Sequence, residues 1–253
     1  MSGPEPGAED AERETHVLRT RIAGELIDAV RGLAPSSVPE ALGRACASLL
    51  PDVSGLSLSV LGREAGMGVV LFASDEVAAQ LAEIQYTLGE GPCTEAVRLL
   101  APVFASDLTR PPDARRWPLF SVQAAKAGAE AVFSLPLTAA AGALGTLDLY
   151  RRTAGSLDNG QVRTALLVGD ALSLAVTALD HTSADSGGVV TWLQGAESDR
   201  VEIHQATGMI MVQLGVSAEE ALLRLRARAF AQGSTSLDVA RAIIDGSTDI
   251  RHE

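Results

Sequence analysis

Leu56-Ser57-Leu58-Ser59-Val60-Leu61 alternates Leu56, Leu58 and Val60 with Ser57, Ser59 and Leu61, the period-two pattern of a half-buried strand. Turn residues follow from Gly62 to Gly68, and Val69-Val70-Leu71-Phe72 reads as the returning strand of a hairpin. Downstream, a short helix is expected from Asp75 to Ile84, a tight loop at Gly89-Glu90-Gly91-Pro92 and a helix from Cys93 to Leu100. A short strand at Pro102 to Ala105 and a helix from Trp117 to Ala127 come next. Two more strands, Ala131 to Pro136 and Gly145 to Tyr150, precede a long helix from Asp158 to Leu179. Upstream, Val17, Leu18, Ile22, Leu26, Ile27 and Val30 recur at helical spacing between Thr15 and Leu33. A second helix starts near Val38, with Ser37 as its N-cap, and carries Leu42, Cys46 and Leu49 on one face. Residues 1–14 are Gly, Pro and acid, and are expected to be disordered. The whole describes an α+β fold, an antiparallel sheet flanked by helices, over residues 15–181.

The composition narrows the function. Of 253 residues, 47% are hydrophobic and 21% charged, so a core is affordable and wholesale disorder is excluded. The net charge of -12 argues against a protein that coats DNA by bulk attraction, because neutralising phosphates needs a cationic surface. Cys46 and Cys93 form no CxxC pair, and His16, His181, His204 and His252 show no metal-ligand spacing. Neither a metal nor a cofactor is expected. No phosphate-loop, zincin or serine-hydrolase motif occurs, so no catalytic residue is assigned. The acidic start is no signal peptide and no run is long and apolar enough for a membrane helix, so a cytoplasmic protein is expected.

A linker is expected at 182–189, around His181-Thr182-Ser183-Ala184-Asp185-Ser186-Gly187-Gly188. Beyond it the strand period vanishes. Three helices are expected over 190–253: Val190 to Leu214, Ala218 to Ala231 and Ser236 to Asp245. Gly215 ends the first, and Ser217 with Glu220 forms a capping box for the second.

This second part resembles the ANTAR domain, an RNA-binding antiterminator module. The likeness rests on Arg200, on Ile203-His204-Gln205-Ala206-Thr207-Gly208-Met209-Ile210-Met211, on Leu214-Gly215-Val216-Ser217, and on Glu220-Ala221, Leu225-Arg226, Ala229 and Val239-Ala240. The first part resembles a GAF domain of the kind that precedes ANTAR in actinobacteria. Here the carriers are Tyr86-Thr87-Leu88-Gly89-Glu90-Gly91-Pro92-Cys93, Ser106-Asp107-Leu108, Arg116-Trp117-Pro118 and Leu147-Asp148-Leu149-Tyr150. The resemblance implies a GAF sensor followed by an all-α three-helix ANTAR domain, a homodimer that binds hairpin RNA in nascent transcripts and answers to a small molecule of unknown identity.

Arg200, His204, Thr207, Gly208, Arg224, Arg226 and Arg228 are the RNA-binding candidates. Arg224, Arg226 and Arg228 crowd one helix and can grip phosphates or stack on splayed bases, with Arg226 as the motif arginine. Read without the family, they are a solvated face paired to Glu219 or Glu220. Thr207 stands where many family members carry lysine. Gly208, mid-helix, costs roughly 1 kcal/mol against alanine and suggests the close approach of another helix or a ligand. In the first part Gly89, Gly91, Cys93 and Trp117 are the pocket candidates. Cys93 opens a helix, where thiolate is favoured, and so carries a rival reading as the nucleophile of a GAF reductase. A buried small hydrophobe is the other role for both cysteines. A second rival makes the three helices a dimerisation or docking module without RNA.

Overall fold

The computed structural model describes residues 6–61, 68–140, 142–184 and 189–248. Five strands form one antiparallel sheet in the order β2-β1-β5-β4-β3. They are β1 (Gly55–Leu61), β2 (Gly68–Ala73), β3 (Val103–Ala105), β4 (Ala131–Ala139) and β5 (Gly142–Arg151). The register sorts every side chain to one of two faces. Leu56 lies opposite Leu149, Leu58 opposite Leu147, and Phe133 opposite Leu149 on the other side. These leucine and phenylalanine side chains meet α1 (Pro6–Val30), α2 (Val38–Leu49) and α7 (Asn159–Ala184), with Ile22, Leu42, Cys46 and Leu172 fully enclosed among them. On the other face Val132 and Tyr150 meet α3 (Glu76–Leu88), α4 (Pro92–Leu99) and α6 (Pro118–Ala127), where Phe120, Ala96 and Trp117 are buried. A four-residue α5 (Asp113–Arg116) leads into α6. Gly145 lets β5 lie close to β1: a Cβ there would stand 2.0 Å from the Ser59 carbonyl oxygen.

Three further helices, α8 (Val189–Leu214), α9 (Ala218–Gln232) and α10 (Ser236–Ile244), enclose a core of Ile203, Ala206, Ile210, Leu225, Ala229, Val239 and Ile243. That core does not end at the bundle, because Tyr86 of α3 packs against it. Ser236, the first residue of α10, is fully buried and donates through Oγ to Thr87 Oγ1 at 3.1 Å.

Several expected boundaries shift. Helix α1 begins at Pro6, so residues 6–14, expected to be disordered, are its first turns. Proline is tolerated at that first position, where its missing N–H would have no partner within the helix. Helix α3 continues to Leu88, where Gly89 turns left-handed (φ 63°) and its N–H caps the carbonyls of Gln85 and Tyr86. Helix α7 runs to Ala184 and α8 starts at Val189, so the expected linker is helical over 182–184 and at 189, and residues 185–188 lie outside the described residues. Ser217 Oγ accepts from Glu220 N as expected, but Glu220 turns its carboxylate to Arg224 instead of closing a box. The complete capping box stands at Thr235 and Asp238, at the start of α10.

Candidate functional site

The loop after α3 is built from its own polar groups. Gln85, almost fully buried, accepts through Oε1 from Cys93 N at 2.8 Å and so caps the start of α4. Glu90 reaches across to α6, where its Oε1 accepts from the N–H groups of Leu119 and Phe120 at 2.9 and 3.1 Å. Gly91, at φ 143°, leaves room for the Gln85 side chain, which a Cβ would meet at 2.6 Å. Arg116 holds Glu95 with both Nε and Nη2 and lies 4.6 Å over the Trp117 ring. The pull of Arg116 lowers the Glu95 carboxyl below its ordinary range. These contacts tie the α3–α4 corner to α5 and α6.

Behind that corner lies a cavity of about 390 Å³. Ser59 and Leu61 of β1, Val69 and Val70 of β2, and Gly145, Thr146 and Asp148 of β5 contribute one part of its lining. Gln85, Tyr86, Gly89, Cys93 and Thr94 contribute a second. Ile203, Arg226 and Leu237, from the helical bundle, contribute a third. The volume falls at the small end of the range of about 300–1,000 Å³ usual for small-molecule sites.

Asp148 is the unusual residue here. It is buried in the middle of β5, with Ser57 and Ser134 opposite it on the flanking strands. Its Oδ2 accepts from Thr146 Oγ1 at 2.8 Å. No hydrogen bond of good geometry reaches its Oδ1 among the described residues, and the Ser134 hydroxyl on the neighbouring strand is likewise without one, although it still favours the charged carboxylate. Burial pushes the carboxyl up to about 6, with the Ser134 and Thr146 hydroxyls holding it from rising further. Gln85 Nε2 is a second buried polar atom without a partner among the described residues, and it belongs to a residue lining the same cavity.

Of the expected pocket residues, Gly89 and Cys93 line the cavity, while Gly91 and Trp117 do not. Gly91 shapes the loop, and Trp117 is buried with Phe120 and Ala124 in the core beneath α6. Cys93 is half-buried, and its wall position brings it under the field of Asp148. Burial, reinforced by that carboxylate, raises its thiol well above the ordinary value, which outweighs the helix start. Cys46 sits on the opposite face of the sheet, where burial raises its thiol to about 12. The two thiols lie on opposite faces of the sheet, and at each of them burial opposes the thiolate. Asp148, Gln85 and Tyr86 are among the cavity residues that the sequence did not mark as pocket candidates. The available signal was a carboxylate in the apolar alternation Leu147-Asp148-Leu149, which a solvated strand face also explains.

The bundle's candidates are dispersed. Arg224 is exposed and paired to Glu220 at 2.7 Å. Arg228 is half-buried. Arg226 turns toward the sheet domain: its guanidinium lies 5.1 Å over the Tyr86 ring, and a Cβ at Gly89 would stand 3.2 Å from its Nη1. Its Nε is buried without a hydrogen-bond partner among the described residues. The three arginines therefore form no single open face in this arrangement. Thr207 is buried and donates to the Ile203 carbonyl of its own helix at 2.7 Å. Gly208 has nothing within 4 Å of where a Cβ would be, so the expected close approach does not occur among the described residues. His204 is half-buried on α8. Arg200 falls within α8, and its side chain lies outside the described residues. Among the described residues no group of three or more His, Cys, Asp or Glu could hold a metal ion, and no helix is long and apolar enough to cross a membrane.

A sheet with helices on both faces, a small cavity with buried polar atoms, and a helical bundle along one side of it make up an α+β half followed by an all-α half. Comparison with known families agrees: the GAF domain matches residues 35–177 and the ANTAR domain residues 192–244. The chain belongs to the GAF domain family and carries an ANTAR domain after it. It is a signal-regulated regulator. Among solved structures, the GAF domain of an Acinetobacter phosphoenolpyruvate-protein phosphotransferase shares the fold at 10% identity and a TM-score of 0.50, covering 68% of this chain and 98% of that one. The corresponding GAF domain from Coxiella burnetii is 14% identical, with a TM-score of 0.49 over 66% of this chain and 98% of that one. A type II free methionine-R-sulfoxide reductase from Thermoplasma acidophilum is 17% identical, with a TM-score of 0.39 over 54% of this chain and 86% of that one. No curated protein matches the sequence.

Proposed function

We propose that this chain is a cytoplasmic transcription antitermination regulator, whose ANTAR helices bind hairpin RNA under the control of a small molecule held in the GAF cavity. The observation that carries this reading is the position of Arg226. It is the motif arginine of the ANTAR resemblance, and it lies over Tyr86 in the lining of the cavity. One side chain thus belongs to both the sensing and the output half. Shape and stacking at RNA loops suit a chain of net charge -12 better than bulk attraction does. The reading involves no enzymatic step, in keeping with the raised Cys93 thiol.

The active species on this reading is a homodimer. Helices α1 and α7 lie side by side. They expose Val17 and Ile27 on one and Leu174 on the other, large apolar side chains that a second copy would cover.

The test is binding of the full chain to a library of tandem-hairpin RNAs at several salt concentrations, beside Arg224→Ala and Arg226→Ala. Selective binding with a shallow salt slope, weakened by both substitutions, is the expected result. Indifference of the wild type to every hairpin, with or without added small molecules, would leave the bundle as a docking module.

A further inference from the structure

The geometry points to a composite site for a small zwitterion: its ammonium or other N–H donor on Asp148 of the sheet, its acid group on Arg226 of the ANTAR domain, so that the bound molecule holds Arg226 away from RNA. The inference deepens the reading above and, for its RNA arm, rests on it.

Three polar atoms are left unspent around the cavity. Asp148 Oδ1 is an acceptor, Gln85 Nε2 a donor and Arg226 Nε a donor, and none of them has a hydrogen-bond partner among the described residues. All three residues line the same space. Native interiors rarely leave such atoms unpaired, and the cavity that these three residues share offers room for the group that would pair them. The signs of the atoms select the ligand. A buried carboxylate whose second oxygen is already held by Thr146 repels an anion and accepts from a cation or N–H donor. The amide nitrogen of Gln85 adds a place for a carbonyl or hydroxyl oxygen, because its Oε1 is spent on Cys93 N. Arg226 pairs with no carboxylate among the described residues, and its planar fork suits a carboxylate or another acid. The apolar remainder, Leu61, Val69, Val70, Val97 and Leu237, takes a short aliphatic or aromatic body. A purely anionic ligand would meet Asp148 and Glu83, which lines the same cavity with one oxygen held by Thr87, and a purely apolar one would strand all three polar atoms.

The regulatory sign follows from where Arg226 comes from. The site is complete only while the ANTAR bundle stays docked through Ser236 on Thr87 and Arg226 on Tyr86. A ligand that uses Arg226 binds the docked arrangement better than the open one and shifts the population toward it. RNA that uses the same guanidinium favours the open one. By linkage each weakens the other to the same degree.

The experiment uses the full chain and the twenty free amino acids as probes, each beside its carboxamide and its decarboxylated amine, by calorimetric titration. The expected result is that at least one amino acid binds and beats its own carboxamide by about tenfold or more, the scale of a charged hydrogen bond. In Arg226→Gln that ratio falls to about one, and Arg226→Lys, which keeps the charge, recovers part of it. In Asp148→Asn, nearly the same shape without the charge, binding of amino acid and amine alike is lost. Thermal melts of each variant confirm folding, and Asp148→Ser serves if the asparagine variant is unfolded. In the second arm the best amino acid lowers affinity for a tandem-hairpin RNA in the wild type and leaves it unchanged in Asp148→Asn. A silent panel, or a carboxamide ratio that Arg226→Gln does not move, overturns the composite site. An amino acid that binds as expected yet leaves RNA affinity untouched overturns the sharing of Arg226. If no RNA binds while the panel behaves as expected, the antitermination reading fails and the ligand site stands.

Discussion

The two faces of the sheet are made by the same strands and yet differ in kind. Toward α1, α2 and α7, β1, β4 and β5 present Leu56, Leu58, Phe133, Leu135, Leu147 and Leu149, all buried in an apolar core. Toward α3 and α4 the same strands present Ser57, Ser134, Thr146 and Asp148, also buried but polar. A period of two lets neighbouring residues serve opposite ends, so Leu147 and Asp148 differ in task while sharing a peptide bond. The apolar face supplies stability. The polar face gives some of it up, because a buried carboxylate and unsatisfied amide are costly, and cavities that bind ligands are where such costs are kept.

Breaking the apolar face has the largest effect. Phe133→Ala, which removes a fully buried ring packed edge-on at 5.7 Å to Phe104, should destabilise the fold by about 3–5 kcal/mol in urea unfolding. On the polar face the sign reverses. Burial raises the Asp148 carboxyl from the ordinary 3.8 to about 6, so the folded chain holds that proton more tightly than the unfolded one. The contribution of this group to stability is whole below pH 3.8 and falls away as the pH rises through 6. Asp148→Asn, which cannot ionise, should therefore be more stable than the parent by about 3 kcal/mol at pH 7, with the gap closing toward pH 4. Urea unfolding of both proteins across that range checks it, and a gap that widens on acidification would contradict the burial of this charge. Thr146→Val sharpens the same point. It takes away the one hydroxyl bonded to Oδ2, so the carboxyl should rise further above 6 and the fold lose about 1.5 kcal/mol at pH 7. A carbon-detected titration of the carboxyl reads the first, and unfolding reads the second. The smallest effect belongs to neither face. Arg224→Ala, away from the sheet, removes only an exposed pair with Glu220 and should change stability by about 0.4 kcal/mol.

Much of the architecture is legible in the alternation itself. Ser57 and Ser59 between apolar neighbours announce a strand with two unlike faces, and the helical spacing around Ile22 and Leu26 announces a helix to cover one of them. The cavity is not legible in the same way. The conspicuous Gly89-Glu90-Gly91-Pro92-Cys93 stretch looks like a ligand loop, but most of its residues are engaged in capping helices and shaping a turn. Asp148 looks like an ordinary outward residue, because a strand's sequence does not say whether its polar face meets water or a second layer of helices.

The sequence by itself determined the two halves, their fold classes and the arginine cluster of α9, because these follow from local period, capping and spacing. It could not determine that Arg226 leaves its neighbours Arg224 and Arg228 and lies on Tyr86, a residue far away in the chain. Nor could it determine that Asp148, Gln85 and Arg226 line one space. Those facts depend on how one packed layer meets another, and only the tertiary structure brings together side chains whose positions in sequence carry no information about each other.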